Sequence, residues 1–202
     1  MAADSSSRVK QAPALVRPQA PIDRTTISVA SGDVLDVRQF EIIERMSSLF
    51  EVRLVVVSNN PDIELDAVVG KPMSFALHAG NSGNSRSWAG ICSHLQQLRV
   101  EDQFLSTYEL TLVPTLWLAT QRRNFRMFQR LSELDIVLKL LTEWGIQPTL
   151  RMSTAYKARK YRVQYGETDF AFMSRMLEDA GISFYFDNSG TSQQVLDDGP
   201  QN

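Results

Sequence analysis

The hydrophobic period of this chain changes part-way along it, and no other feature constrains the fold as much. Between Thr25 and about Pro114, apolar side chains recur at every second position, as they do from Phe50 to Val56. Such a pattern gives a strand one buried face and one wetter face. Turn sequences rich in Gly, Asn, Asp and Ser separate six predicted strands, at residues 25–30, 37–43, 49–58, 71–78, 87–100 and 104–114.

Hairpin spacing of this kind predicts an antiparallel β-barrel or sandwich over residues 25–120. One short helix, at residues 63–69 and ended by Gly70, interrupts the strands. Residues 1–24 contain five Ala, three Ser, three Pro and no aromatic side chain. A segment of that composition buries too little apolar surface to offset its ordering entropy, so it is predicted to be a flexible N-terminal arm.

After Gln121 the period lengthens to that of a helix. Ser132 is placed as an N-cap, with an acidic residue three positions later, and Gly145 lies where a left-handed C-cap belongs. A second helix is predicted from Thr168 to Gly181 by the same signals. The apolar residues assigned to the two buried stripes are Ile136, Val137, Leu140, Leu141 and Trp144, then Phe170, Met173, Met176, Leu177 and Ala180.

Further strands surround these helices. Residues 161–165 alternate as a strand, and residues 194–196 are predicted to return along residues 182–186 across a turn at 188–190. The fold class is therefore mainly β and α+β: an antiparallel barrel followed by an α+β annex with two helices, at residues 121–187. Residues 188–202 are predicted to begin a further β segment that is cut short.

Composition excludes several classes of function. The 202 residues carry a net charge of −2, which argues against a generally basic nucleic-acid coat. The single cysteine excludes an internal disulfide framework and any multi-cysteine zinc site. The longest weakly polar run, residues 110–120, is about half the ~20 residues that a membrane helix needs. Residues 1–24 lack the apolar core of a signal peptide. We expect a soluble protein made in the cytosol, with no membrane anchor.

Common catalytic and phosphate-binding signatures are absent from the sequence. The glycine-rich residues 80–90 lack lysine and are predicted to be a hairpin loop. Cys92 and His94, at positions i and i+2 of a strand, are expected to share a face, but a lone cysteine is more often a small core residue. Glu167 and Asp169 flank a helix start, where acids are favoured by the helix dipole. No catalytic residue, metal or cofactor is predicted.

Basic residues concentrate in one part of the chain. Residues 117–165 contain ten Lys or Arg and three acidic residues, with aromatic residues interleaved. One interpretation is a nucleic-acid surface. The competing interpretation, which we favour, is that the basic annex docks on acidic barrel surface, in this chain or in its neighbour.

Four motifs then resemble one family. Tyr108–Leu118 is similar to the Y-x-L-x-L-x-P-x-L-W-x-L segment of VgrG proteins, the spike proteins of the bacterial type VI secretion system. Asn124–Gln129 is similar to the family's S-R-I-F-Q, and Tyr161–Phe170 to its Q-Y-x-E-T/S-D-x-x-F. Met173–Ile182 is similar to its L-x-R-L-L-E-E-x-G-I. The order and spacing of all four motifs agree, and the resemblance covers roughly residues 25–198.

The resemblance implies a fold like the hub protein of contractile phage tails, with barrels related to tail-tube subunits. It implies a homotrimer in the intact protein, whose pseudo-sixfold symmetry lets it seat on a hexameric tube of the Hcp type. It also assigns architectural or assembly roles to a set of motif residues: Tyr108, Pro114, Trp117, Arg126, Phe128, Gln164, Tyr165, Glu167, Asp169, Arg175 and Gly181.

The sequence also departs from the family. Met127 stands where Ile is usual, and Asn124 and Phe125 change the residues before Arg126. A complete member continues into a second barrel, an oligosaccharide-binding-type domain and a needle rich in Val-Gly repeats, and Val69-Gly70 is the only such dipeptide here. We therefore expect a hub portion rather than a complete spike.

The first hypothesis is the non-catalytic hub portion of a VgrG-like spike, made in the cytoplasm and secreted by the type VI machinery. Its expected partners are two further copies, the tube, and baseplate proteins and effectors. A phage or phage-like tail hub is the alternative. A nucleic-acid-binding module using residues 117–165 and an enzyme using Cys92 are the remaining alternatives.

Overall fold

A computed structural model describes residues 24–78, 85–100, 105–189 and 192–199. The predicted flexible arm lies almost entirely outside these residues, as do much of the loop before residue 85 and the tip of the predicted hairpin at residue 190. Eleven strands and three α-helices are described: β1 Thr25–Val29, β2 Asp36–Ile43, β3 Glu51–Ser58, α1 Leu65–Val68, β4 Pro72–His78, β5 Ser85–Val100, β6 Ser106–Val113, β7 Arg123–Leu131, α2 Glu133–Glu143, β8 Thr149–Arg151, β9 Arg159–Thr168, α3 Asp169–Ala180, β10 Ser183–Asp187 and β11 Gln193–Asp197.

The six predicted strands of the barrel are confirmed. They form one antiparallel sheet in the order β1-β4-β5-β6-β3-β2, which curls into a half-barrel. The period of two places alternate residues inside: Val52, Leu54 and Val56 of β3 are fully buried, while Arg53 between them is exposed. This core closes around stacked rings, with the Phe75 and Trp88 centroids 6.0 Å apart.

Both predicted helices of the annex are confirmed, with their predicted N-caps, and Gly145 (φ 69°) directly follows Trp144, which is the C-cap of α2. The Ser132 hydroxyl accepts a hydrogen bond from the backbone N–H of Asp135, and the Asp135 carboxylate accepts one from the N–H of Ser132. The Thr168 hydroxyl caps α3 by accepting from the N–H of Ala171, and Gly181 ends it in a left-handed conformation (φ 71°). Local sequence therefore determines where both helices begin and end.

The predicted buried stripe of the second helix needs correction. Phe172 is fully buried, whereas Phe170 is only partly buried. The buried positions of α3 are residues 169, 172, 173, 176 and 177, and Phe170 falls beside this stripe, since each residue turns a helix by about 100°. Trp144, the C-cap of α2, is also only partly buried, and the Arg122 guanidinium lies over its ring, 4.5 Å from the centroid.

The predicted pairing of the last two strands is confirmed. Strand β11 runs antiparallel to β10, and β8 adds in parallel on its other side, which the sequence analysis did not predict. The described part of residues 188–202 thus completes a sheet begun within the annex. This hairpin also contacts the barrel, where the N–H of Ser47 donates to the carbonyl of Phe184 at 2.7 Å. Phe186 packs against both hydrophobic cores and so joins them.

Gly90 lies within β5 rather than in a loop. A Cβ built on it would lie 2.0 Å from the carbonyl oxygen of Val113. No side chain fits at that distance, so glycine is required where β5 approaches the end of β6. The rest of the glycine-rich segment before residue 85 lies outside the described residues.

Candidate assembly site

Strands β7 and β9 form a separate two-stranded ribbon with two different faces. Phe125 pairs with Tyr165, Arg126 with Gln164 and Met127 with Val163, so neighbouring pairs point to opposite sides. The inner face lies against α2 and α3, and the outer face is exposed. A bulge at Gly166 (φ 65°) shifts the register by one residue between the pair Asn124–Glu167 and the pair Phe125–Tyr165.

The centre of the inner face is the Asp169 carboxylate, which is fully buried. One of its oxygens, Oδ1, accepts hydrogen bonds from Arg126 Nη2 at 3.0 Å, Asn124 Nδ2 at 3.0 Å and Gln164 Nε2 at 2.9 Å. The other, Oδ2, accepts from Arg122 Nε at 2.6 Å and Trp144 Nε1 at 3.1 Å. Asp169 thus fixes five side chains to the first turn of α3. Two belong to β7, one to the residue before β7, one to β9 and one to the end of α2.

The charge state of Asp169 follows from this set of donors. Burial by itself raises the pKa of the carboxyl, but the hydrogen bonds from Gln164, Asn124, Arg122 and Trp144 outweigh it and the pKa is lowered. A carboxyl that stays ionised and whose oxygens are both occupied is unsuited to donating a proton. The arrangement is therefore that of a structural anchor.

A second carboxylate completes the anchor from the solvent side. Glu143 accepts from Arg122 Nη2 at 2.7 Å and from Arg126 Nη1 at 2.9 and 3.0 Å. Its pKa is lowered, because these two arginines outweigh the effect of burial. Each guanidinium thus bridges Glu143 on α2 and Asp169 on α3, which holds the two helices and β7 in one geometry.

A similar ion cluster lies at the other end of the ribbon. The Glu133 carboxylate, at the start of α2, is buried and accepts from Arg159 Nε at 2.8 Å and from the Arg162 guanidinium. Arg162 also lies 3.3 Å from Asp179 of α3. Both ends of the ribbon are therefore fixed to both helices by charge-assisted hydrogen bonds.

The structure brings together only some of the motif residues. Arg126, Gln164 and Asp169 contact one another directly, and Arg175 pairs with Glu167 nearby and donates to the carbonyl of Val163. Phe128 stacks on Phe172 within the annex core, at 5.5 Å between centroids. Tyr165 is on the opposite, exposed face of the ribbon.

The remaining motif residues serve other parts of the fold. Tyr108 is buried in the barrel, and its hydroxyl donates to the carbonyl of Asn60 at 2.8 Å. Pro114 precedes a 3-10 helix, Thr115–Thr120, and Trp117 lies half-buried in its first turn. Gly181 is the C-cap of α3, far along the chain from both.

Four members of the anchor were not predicted from the sequence. Arg122 and Glu143 lie outside the four motifs, Trp144 was assigned only to a buried helix stripe, and Asn124 counted only as a departure from the family pattern. Asn124 in fact supplies a hydrogen bond to Asp169. The interpretation of Asp169 as an acid favoured by the helix dipole is also incomplete, since its carboxylate is saturated by side-chain donors.

The expectation that Cys92 and His94 share a face is wrong. Strand β5 has a bulge between them, and Cys92 is fully buried while His94 is exposed. The thiol donates to the backbone carbonyl of His94, and burial raises its pKa. A buried thiol held in its neutral form is a poor nucleophile. Within the described residues no group of three metal-ligating side chains occurs, and no helix there is long and apolar enough to span a membrane.

Comparison with known proteins decides the family. The sequence pattern of the phage tail baseplate hub family (GPD) matches residues 43–202. The chain belongs to this family.

Among curated proteins, this hub-family chain is 38% identical over 155 residues to the type VI secretion system spike protein VgrG1c of Pseudomonas aeruginosa, covering 76% of this chain and 21% of that protein. It is 35% identical over 173 residues to VgrG1b of the same organism, covering 85% and 22%. The chain thus spans about a fifth of the length of these relatives.

Solved structures agree with this assignment. The hub-family chain matches the E. coli c3393 protein, a component of the type VI secretion system described as similar to the T4 tail proteins gp27 and gp5, with a TM-score of 0.75 at 25% identity. That match covers 85% of this chain and 48% of the other. A 43 kDa tail protein of prophage MuSo2 from Shewanella oneidensis shares the fold, with a TM-score of 0.60 at 11% identity over 87% and 54% of the two chains. The predicted resemblance to VgrG spike and phage hub proteins is confirmed.

Proposed function

We propose that this hub-family region is the non-catalytic hub portion of a type VI secretion spike, which assembles as a trimer and seats on a hexameric tube of the Hcp type for effector delivery. The observation that carries the proposal is the similarity to spike proteins at 35–38% identity across both barrel and annex. Because a sixfold tube and a threefold spike must meet, a pseudo-sixfold trimer of barrels is the geometry that joins them.

The chemistry of the annex supports an architectural role. Its buried carboxylates are saturated by arginine and amide donors, and the thiol of Cys92 is buried in the barrel. Among the described residues, these buried carboxylates and the buried thiol are held by other side chains or shielded from solvent. We infer that the region works by shape and contact rather than by catalysis.

A phage or phage-like tail hub is the second candidate. It is favoured by the likeness of the fold to the MuSo2 prophage tail protein and to a tail protein from Neisseria meningitidis, which has a TM-score of 0.57. Neighbouring genes distinguish the two: sheath, tube and ATPase genes of secretion type support the spike, and a full phage cassette supports the tail.

Nucleic-acid binding by residues 117–165 is disfavoured by the ion pairs. Four of the ten basic side chains there, Arg122, Arg126, Arg159 and Arg162, pair with carboxylates of the annex itself. A filter-binding titration with duplex DNA at low salt is expected to show no binding. Binding that weakens steeply with salt would instead support the nucleic-acid function.

In the proposed spike, the chain is made in the cytoplasm and leaves the cell through the type VI machinery, with baseplate proteins and effectors as further partners. Light scattering of the purified chain over a range of concentrations tests the assembly step. We expect a mass of three times 22.8 kDa. A monomer at every concentration would show that this region does not trimerise by itself, and the trimeric part of the proposal would then fail for this chain.

A further inference from the structure

A cleft of about 940 Å³ lies between one end of the barrel and the hairpin of β10 and β11. Four apolar side chains that line it are only half-buried. Ile42 and Leu77 come from the barrel, and Tyr185 and Phe186 come from the hairpin. Polar side chains of both regions complete the lining. A cleft of this volume, with an apolar lining and a few polar groups, is typical of a binding site.

One buried polar group of this cleft has an acceptor to spare. Asn188 is 4% exposed, and its amide nitrogen donates to the Glu44 carboxylate. Glu44 also accepts from Trp88 Nε1 at 3.0 Å and from Arg86 Nη2 at 2.9 Å, so the groups around Asn188 are held in place. Within the described residues, the amide oxygen of Asn188 accepts no hydrogen bond. A molecule bound here that brings an N–H or O–H donor can satisfy that oxygen.

The N-terminal segment joins the barrel at the edge of the same cleft. The carbonyl of Arg24 accepts a hydrogen bond from the N–H of His78 at 2.8 Å, and His78 lines the cleft. Residues 1–23, which precede the described part of the chain, are therefore tethered beside it. A segment on a short tether acts at an effective concentration in the millimolar range, so weak contacts suffice for it to dock.

The tethered segment carries a proline motif whose chemistry suits the cleft. Residues 17–21 read R-P-Q-A-P, which places Pro18 and Pro21 at the spacing P-x-x-P. In a polyproline II helix, which has three residues per turn, positions three apart lie on the same side, about 9 Å from each other. Segments with this spacing dock in grooves lined by aromatic side chains, because proline restricts the unbound chain and little conformational entropy is lost.

Charge complements the proline motif. Asp187 is exposed at the cleft, and no Lys or Arg of the described residues forms an ion pair with it. Hydrogen bonds from Ser189 lower the pKa of the Asp187 carboxyl, which is therefore ionised at neutral pH. Arg17, directly before the first proline of the motif, supplies the opposite charge. An ion pair at one end of a docked segment fixes its direction along the cleft.

We propose that the cleft is a recognition site for a proline-rich segment and that residues 17–22 of the same molecule occupy it. The two prolines of the motif pack on the aromatic side chains of the hairpin, and Arg17 lies beside Asp187. Residues 1–24 have too little apolar surface to form a core of their own, but a preformed cleft removes that requirement. Because barrel and hairpin both line the cleft, the docked segment holds the two regions together. The inference goes beyond the proposed function and does not depend on it.

Cross-linking within one chain tests the docking directly. The variant Ala20→Cys/Ser189→Cys is treated with a short bis-maleimide, because Ser189 is exposed at the cleft. The matched control pairs Ala20→Cys with Ser28→Cys, since Ser28 is exposed on β1, nearer to the segment along the chain, but does not line the cleft. The intramolecular product is expected to form roughly tenfold faster in the cleft pair than in the control pair. The wild-type chain controls for the buried thiol of Cys92.

Further substitutions in the cleft pair test the chemistry of recognition. Pro18→Ala/Pro21→Ala is expected to abolish the faster reaction, whereas Pro13→Ala, in the same segment but outside the motif, is expected to preserve it. Arg17→Glu is expected to slow the reaction about threefold at low salt, because an exposed ion pair is lost. Lys10→Glu makes the same charge change outside the motif and is expected to have no effect. A thermal midpoint equal to wild type verifies that each variant folds.

Three outcomes would overturn the inference. Equal rates in the cleft pair and the control pair would show that the segment does not dock in the cleft. Covalent dimers linked through the cysteine at position 189 would assign the cleft to the segment of a second copy instead of the same molecule. A faster reaction that survives the loss of both prolines would reject recognition of the proline motif. None of these results depends on the mass of the assembled chain, so the proposed trimer stands or fails separately, by light scattering.

Discussion

In the barrel the described buried side chains carry no formal charge, whereas the annex buries the carboxylates of Glu133 and Asp169. The barrel core is defined by alternation in six strands, and many apolar side chains of similar volume satisfy such a core. The annex core also contains apolar stripes, but its elements are fixed by hydrogen bonds that accept only particular partners at particular distances.

The barrel and the annex have different kinds of core because they have different structural requirements. The barrel needs only a stable curved sheet, which apolar burial provides. The annex holds a two-stranded ribbon, and an isolated two-stranded ribbon is marginal in water by itself. Anchoring Arg126, Gln164 and Asn124 on one carboxylate fixes the ribbon's inner face, and its aromatic outer face is thereby oriented.

The largest expected effect tests the apolar part of the annex. Phe172→Ala is expected to lower the free energy of unfolding by about 3–5 kcal/mol, because the fully buried ring stacks on Phe128. Phe170→Ala, two residues away on the same helix, is expected to cost about 1–2 kcal/mol, since its ring is only partly buried. Urea denaturation of both variants measures the difference. Equal losses would show that the buried stripe of α3 has been assigned to the wrong residues.

The next prediction concerns the charged part. Asp169→Asn keeps the volume but removes the charge that two arginines share, and we expect a loss of about 3 kcal/mol in the free energy of unfolding. The matched control is Asp179→Asn, whose exposed ion pair with Arg162 is expected to contribute about 0.5 kcal/mol or less. A similar small loss in both variants would mean that the annex, like the barrel, depends on apolar burial alone.

These two regions also differ in how much of them the sequence predicts. The strands of the barrel follow from alternation, and both annex helices follow from local caps such as Ser132 and Thr168, because those signals act over a few residues. The partners of Asp169 lie 5 to 47 residues away along the chain, and no local pattern marks which amide or guanidinium will reach it.

Pairing with a distant strand explains the other places where the structure differs from what the sequence predicts. The bulge between Cys92 and His94 is set by the register with β6, so a rule for positions i and i+2 fails there. The requirement for glycine at position 90 arises from the carbonyl of Val113, which lies on a different strand. The motif residues Arg126, Gln164 and Asp169 were recognised from the family resemblance, and only the structure reveals that they form one network with Asn124 and Trp144.

The smallest expected effect is a difference in acid sensitivity between the regions. The pKa values of Asp169 and Glu143 are lowered in the folded chain, so their stabilising effect is present above the unfolded values, about 3.9 for Asp and 4.3 for Glu. It is lost as the pH falls below that range, through the folded values, because protonation then favours the unfolded state. The annex is therefore expected to loosen in acid before the barrel does.

Two tryptophans allow this to be measured region by region. Trp144 donates to Asp169 in the annex, and Trp88 is buried in the barrel. Variants in which Trp117 and one of these two are replaced by Phe keep a single tryptophan each and give separate fluorescence signals. On acidification the Trp144 signal is expected to change at a higher pH than the Trp88 signal. In Asp169→Asn the two transitions are expected to move closer together, because the variant no longer has the carboxyl whose protonation loosens the annex. If the Trp144 and Trp88 signals changed at the same pH in the chain that keeps Asp169, barrel and annex would form one cooperative unit, coupled by Phe186, which packs on both cores.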